Sequence, residues 1–314
     1  MLAWFSYLWL KPGPAPYRYQ LVEEGGVSKF DKLGLEAWPS LNIGKYEVHV
    51  ESVDKPIALA YRATKGAGQP VLLNWESRIS EPIGSIGGNL SELTTVATAT
   101  AQHVPKEAVV LAWWDTSRQV QLLADRDTLF TSHLGQPVIV PSYWRGRIDA
   151  IDRYEHEFWG APPSAEESLT FQRFVDALAS DANIGVAMLR ELAGSREAYL
   201  VVHVTDLYKL GLMRPERLDI AFKDFPLTGN VHGLAPQVKA WMKNNNYDRY
   251  TLQSLSEKEV RAYFLREGKN GTTLLAQMLP FMDRTPVELQ AVQLIYNHGG
   301  YWVYKIPPAQ PTGA

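Results

Sequence analysis

The sequence predicts an α/β fold: a mixed sheet flanked by helices in Rossmann-like layers, preceded by a small antiparallel β region and an N-terminal anchor remnant. Three observations predict it. Residues 40–80 alternate apolar and polar at the period of half-buried strands. From about Gly87 onward helical and strand-like segments take turns, the pattern of helices laid on a sheet. Two apolar runs, AVVLAWW at 108–114 and AYLVVHV at 198–204, are each followed closely by an aspartate where a helix begins. They read as adjacent central strands, within 105–114 and 198–204.

Taken in order, the chain opens with MLAWFSYLWL, an apolar run closed by Lys11 and Pro12. The nine residues from Leu2 to Leu10 fall short of the roughly 20 that a helix needs to cross a hydrocarbon core. No basic leader or small-residue cleavage site precedes the domain. The run therefore reads as the outer end of a membrane anchor, with Leu2, Trp4, Phe5, Tyr7 and Trp9 at the membrane and the aromatic side chains at its interface. The alternative is a segment packed into the core. KPGPAP follows as a stiff linker. KYEVHVESV (45–53) puts Tyr46, Val48 and Val50 on one face and Glu47, His49 and Glu51 on the other. PIALAYRA (56–63) and VLLNWESRI (71–79) continue the alternation across a Gly-rich turn.

The second part starts with a helix capped by Ser91 and running to His103, then the first apolar strand, then Asp115 at the N-cap of TSRQVQLLA. SAEE at 164–167 has capping-box spacing ahead of a helix to about Ser180. Asp206 opens LYKLGLM, SEKE at 256–259 opens another capped helix, and VQLIYNHGGYWVYKI is a hairpin turning at NHGG. The expected organisation is 1–15 as the end of the anchor and a Pro-rich linker, 16–84 as a small β-rich region, and 85–314 as the α/β domain.

Composition narrows the chemistry. Hydrophobic residues are 46% of 314, enough for a sizeable core, and a net charge of −3 without a basic stripe gives no reason to expect nucleic acid. The absence of cysteine excludes disulfides, thiolate metal sites, Fe–S clusters, cysteine nucleophiles and covalently attached c-type haem. It also suits an exported protein in an oxidising space. Any redox role would use a partner's cofactor or a non-covalent one, and no cofactor or metal is assigned to this chain. The seven histidines show no paired ligand spacing; Glu155, His156 and Glu157 are consecutive, so a helix would point them apart. His203, inside an apolar strand, reads as a hydrogen-bonded core residue. GSIGG (84–88) lacks both the dinucleotide fingerprint and the P-loop lysine and reads as a turn.

The segment with most to say is LAWWDTSRQVQLLAD (111–125). In open α/β sheets ligands bind at the carboxyl ends of the strands, where this segment and Asp206 both lie. On spacing alone two readings stand: Trp113 in the core, Trp114 between helix and sheet and Asp115 as a cap, or a recognition cleft. Trp and Arg are common interface anchors. Arg118, one turn on, is in reach of Asp115 and either holds the carboxylate or offers its own fork to a partner.

AVVLAWWDTSRQVQLL resembles the Trp-Trp-Asp segment of the extracytoplasmic domain of oligosaccharyltransferase catalytic subunits, and DLYKLGLM (206–213) is similar to that family's second signature. YWVYKI resembles its closing strand. The likeness implies that Trp113, Trp114 and Asp115 bind a hydroxyl-bearing acceptor, with Asp206 and Lys209 beside them. The departures are Thr116-Ser117, where that family usually has Tyr-Gly, and the membrane domain carrying its catalytic carboxylates and metal, which these 314 residues do not contain. Its chemistry is therefore not inherited. A longer resemblance, carried by the aromatic N-terminus, WWDTSRQVQLL, YLVVHVTDLYKLG and the lack of cysteine, is to the HaoB family of hydroxylamine oxidation proteins of ammonia- and methane-oxidising bacteria. It implies a periplasmic accessory anchored in the inner membrane, more fitting as a scaffold than as an enzyme. Its partner would be hydroxylamine oxidoreductase, a multihaem cytochrome expected to be trimeric. The runner-up is a peptide- or glycan-binding module using the Trp-Trp-Asp cleft.

Overall fold

The computed structural model describes residues 14–51, 53–227, 231–266, 273–282 and 292–308. The anchor residues Leu2, Trp4, Phe5, Tyr7 and Trp9 lie outside them. Among the described residues no helix is long and apolar enough to cross a membrane.

The chain divides into two compact units. The first holds residues 1–87 and 132–163. Its frame is a four-stranded antiparallel meander of β1 (Tyr17–Gly26), β2 (Leu41–Val50), β3 (Ala58–Lys65) and β4 (Val71–Ser77), in that order. The alternation expected for β2 holds: Tyr46 and Val48 are buried while Glu47 and His49 are half-exposed. Tyr17, Tyr46, Val48, Ala58, Ala60 and Trp75 form a core with Trp144 and Ile151, which come from the second stretch of the unit. There a short 3₁₀ segment, Ser142–Arg147, leads into helix α3 (Ile148–Trp159). Residues 132–163 thus cluster with the β-rich unit, whereas the sequence grouped them with the α/β region. The reason is that Trp144, Ile151, Tyr154 and Phe158 cover the apolar face of the meander.

The second unit, 88–131 and 164–314, carries two sheets. In the first, β5 (Val109–Ala112), β6 (Ala198–His203), β10 (Gln293–His298) and β11 (Tyr301–Ile306) run in the order β10-β11-β6-β5. β5 and β6 are parallel and the other pairs antiparallel, so the sheet is mixed. The two apolar runs are adjacent as expected. β6 is central, but β5 ends the row of named strands, with only a single-residue bridge from Val110 to Thr128 beyond it. β5 and β6 are buried throughout, which explains why they read as continuous apolar runs rather than alternating ones.

Helices α1 (Leu90–His103), α2 (Trp114–Ala124), α4 (Ala165–Ala179), α5 (Ala182–Ala193) and α6 (Asp206–Met213) accompany this sheet. Ser164 caps α4 as the spacing required, accepting from the Glu167 N–H at 3.0 Å. Two expected caps move. Asn89, not Ser91, caps α1, because its Oδ1 reaches the Ser91 N–H. Trp113 occupies the N-cap position of α2, its carbonyl accepting from the Ser117 N–H at 2.7 Å.

The second sheet is β7-β9-β8, with β7 at Ile220–Pro226, β8 at Arg249–Ser256 and β9 at Glu259–Leu265. Helix α7 (Val231–Asn244) accompanies it, Val238 and Met242 joining Phe225, Tyr250 and Phe264 in one core. SEKE, expected to open a helix, is instead the turn of the β8–β9 hairpin. EVRAYFL carries Val260, Tyr263 and Phe264, residues that favour strands, and its cross-strand pairing with TLQSLS overrides the capping-box spacing. A short helix, α8 (Leu274–Met278), completes the unit.

Candidate functional site

The ends of β5 and β6 bring Asp115, Asp206 and Lys209 together. Parallel pairing aligns Ala112 with Val201, so both strands deliver their following residues to the same edge. Asp115 is the second residue of α2, where a carboxylate favours the positive end of the helix dipole, and its Oδ1 accepts from the Thr116 N–H at 2.8 Å. Its other oxygen accepts from Lys209 Nζ at 2.7 Å. Lys209 also donates to Asp206 Oδ1 at 3.2 Å, one turn earlier on α6. Asp206 uses its remaining oxygen to accept from the His203 N–H at 2.9 Å, which ties the strand end to the helix start. The same ammonium stands 5.5 Å from the centre of the Trp113 ring.

Burial sets the electrostatics. The side chains of Lys209 and Asp206 are 8% and 1% exposed, that of Asp115 29%. Burial works against the Lys209 charge, but Asp115 and Asp206 outweigh it and hold the ammonium above its ordinary pKa. For Asp206 burial is the largest influence and pushes the carboxyl up, while Lys209 and the His203 N–H pull it back. One ammonium serves two carboxyl groups, and the more exposed Asp115 is where water can reach the cluster.

The expected site residues therefore separate into two groups. Trp113 is 1% exposed and packs edge-on against Phe171 and Phe174, so it is core, as the first of the two readings placed it. Arg118 is 3% exposed and its pKa is brought down to about 10 by burial, against the pull of Asp115 and Glu167. Buried at this depth it does not offer its fork to a partner. Asp206 and Lys209 are internal as well. Trp114 and Asp115 are the half-exposed members, and they form the outer edge of the cluster.

Beside the cluster stand His203, which the sequence reads as a hydrogen-bonded core residue, and Glu92 and Tyr301, which the sequence did not single out. His203 Nδ1 accepts from the Thr205 N–H and pairs with Thr205 Oγ1 at 2.6 Å, which places the ring proton on Nε2. That Nε2 is buried without a hydrogen-bond partner. Burial, reinforced by Lys209, lowers the His203 pKa from 6.5 to about 3, so the ring stays neutral. The ring lies 4.2 Å from that of Tyr301. Glu92 on α1 accepts from the Gly300 N–H at 2.8 Å and fixes the β10–β11 turn against the helix start. Gly299 has φ +56, and a Cβ there would stand 2.1 Å from the Glu92 carboxyl carbon, so the turn requires glycine. Only the NHGG pair signalled this in the sequence; Glu92 and Tyr301 carried no local signal. Among the described residues no group of three or more His, Asp and Glu is placed to hold a metal ion.

Comparison with solved structures finds a likeness to the C-terminal domain of C. jejuni pglb, 14% identical, covering 68% of this chain and 99% of that one at a TM-score of 0.37. That likeness is weak and says nothing about the site. No curated protein matches the chain. The family described as "HaoA-associated protein HaoB" matches residues 1–306, nearly the whole length, and this chain belongs to it.

Proposed function

We propose that this protein is a non-catalytic accessory that docks on hydroxylamine oxidoreductase, the multihaem HaoA, and supports hydroxylamine oxidation at the periplasmic face of the inner membrane. The observation that carries the reading is membership of a HaoA-associated family over residues 1–306. The geometry of the Trp-Trp-Asp edge agrees with a recognition role. Lys209, Asp206 and His203 serve one another inside the fold, while Trp114 and Asp115 are half-exposed beside that ion-paired base. A preorganised aromatic beside a charge is the kind of surface on which interface hot spots form. The N-terminal run of Leu2, Trp4, Phe5, Tyr7 and Trp9 would hold the complex at the membrane.

Affinity capture with the full chain from a membrane extract tests this. The expected result is a haem-staining partner identified as hydroxylamine oxidoreductase. Recovery of hydroxyl-bearing peptides or glycans without a haem protein would overturn it in favour of a peptide- or glycan-binding module.

A further inference from the structure

The β-rich unit holds a cluster that docking through Trp114 and Asp115 does not use. Glu155, on α3, has a side chain only 15% exposed. One of its oxygens, Oε1, accepts from two phenols, Tyr17 at 2.6 Å and Tyr19 at 2.8 Å. Its Oε2 stands 3.8 Å from Nε2 of the buried His133. Trp159 Nε1–H donates to the Tyr19 oxygen at 3.3 Å. Burial pushes the Glu155 carboxyl up, while the bonds from Tyr17 and Tyr19 pull it back and favour the carboxylate; the 2.6 Å bond from Tyr17 lies in the range of charge-assisted hydrogen bonds. Burial first, then Glu155, keeps the Tyr17 phenol protonated well above its ordinary range.

The rings around this carboxylate form a continuous path to the surface. Tyr143 is 69% exposed and meets Trp144 edge-on at 5.8 Å. Trp144 is buried and stacks on Tyr17 at 5.8 Å with the planes 27° apart. Tyr17 meets Tyr19 at 5.9 Å. Tyrosine and tryptophan are the side chains that give up single electrons most readily after cysteine, which the chain lacks. Losing an electron makes a phenol strongly acidic, so oxidation at moderate potential needs a base already bonded to the O–H.

We propose that Tyr17 is a proton-coupled one-electron donor, with Glu155 as its base and Trp144 and Tyr143 as its route to a one-electron oxidant at the surface, an oxidised haem or an inorganic radical. In the step Tyr17 loses one electron to that oxidant, which is reduced by one, and the phenol proton passes to Glu155 Oε1. The products are a neutral phenoxyl radical and a carboxylic acid that donates back to it. Tyr19 stays bonded to the same carboxyl and supports it. The activity belongs to this chain alone and stands or falls independently of partner docking.

The test is flash-quench oxidation of the full chain with photogenerated tris(bipyridine)ruthenium(III), read by transient absorption and high-field EPR. The wild type is expected to give a tyrosyl radical whose EPR shows a hydrogen bond to the phenoxyl oxygen with an exchangeable proton. Tyr17→Phe removes that signal, and Glu155→Gln slows its formation by about tenfold or more, equivalent to about 1.4 kcal/mol of barrier. Tyr263→Phe, which alters another buried hydrogen-bonded phenol, leaves it unchanged. An undiminished signal in Tyr17→Phe, an unchanged rate in Glu155→Gln, or a wild-type radical without the exchangeable hydrogen bond overturns the proposal. If Glu155→Gln does not fold, the wild-type spectrum in H₂O and D₂O decides alone.

Discussion

Replacing Lys209 by methionine probes the centre of the α/β unit most sharply. The side chains are of similar length, so the change removes the charge with little change of shape. In the wild type the ammonium serves Asp115 at 2.7 Å and Asp206 at 3.2 Å. Asp115, 29% exposed on its side chain, recovers part of its loss from water; Asp206, at 1%, does not. Removing one partner of a buried ion pair costs about 3–5 kcal/mol, because an uncompensated charge stays behind. In a domain of about 150–250 residues each kcal/mol moves Tm by about 2–4 °C, so Tm should fall by about 6–20 °C. The second arm is Asp206→Asn on the Lys209→Met background. An Asn carbonyl still accepts from the His203 N–H and carries no charge, so the double variant should regain most of the loss. Thermal unfolding followed by circular dichroism reads both. A Lys209→Met cost below about 1 kcal/mol, as for an exposed pair, or a double variant no better than the single one, would refute the buried triad.

Four further outcomes follow from the same geometry. His203 titrates at about 3 in the folded state against 6.5 ordinarily, so below pH 6.5 the unfolded chain binds the proton that the folded one refuses. Stability is therefore lost as pH falls from 6.5 towards 3, by about 1.4 kcal/mol per pH unit from this group, and His203→Gln should flatten that slope in urea titrations. Gly300→Ala sets a Cβ 2.4 Å from His203 Nε2 and 3.1 Å from Val204 Cγ1; overpacking of this kind should cost about 1–3 kcal/mol by chemical denaturation. Ser164→Ala removes the cap of α4 and should cost about 1 kcal/mol, whereas Ser164→Asp should be near neutral in the same assay. Trp113→Ala should cost about 3–5 kcal/mol, since the indole packs among Phe171 and Phe174 rather than facing solvent.

Where one periodicity dominated locally, the sequence was a good guide. The meander strands β2, β3 and β4, the buried β5 and β6, the Ser164 cap and the NHGG hairpin all follow from patterns a few residues long, whereas β1 was not anticipated. The adjacency of β5 and β6 was legible for the same reason, since both are short unbroken apolar runs that need covering on both faces. SEKE shows the limit: its capping spacing is local, but the hydrogen bonds that win are those between strands. The site was half legible. Asp115 and Asp206 each stand beside a strand end, and Lys209 lies one turn after Asp206, so their meeting could be anticipated. The burial of Arg118 could not, because nothing within its helix says how deep that face lies. Nor could Glu92, which reaches Gly300 across 208 positions of chain. The Glu155 cluster is hidden for the same reason, its two phenols lying 138 and 136 positions away.

The proposed docking of this chain on hydroxylamine oxidoreductase runs through the edge formed by Trp114 and Asp115. Its most direct test is the affinity of the purified full chain for purified hydroxylamine oxidoreductase, compared among wild type, Trp114→Ala and Asp115→Asn. Asp115→Asn leaves Lys209 and Asp206 as a balanced pair and should unfold within a few degrees of the wild type. Its binding should nevertheless weaken by about 2–5 kcal/mol, the cost of removing one side of a desolvated charged contact, with a comparable loss for Trp114→Ala. Wild-type affinity in both variants, or no binding by the wild type itself, would contradict the account.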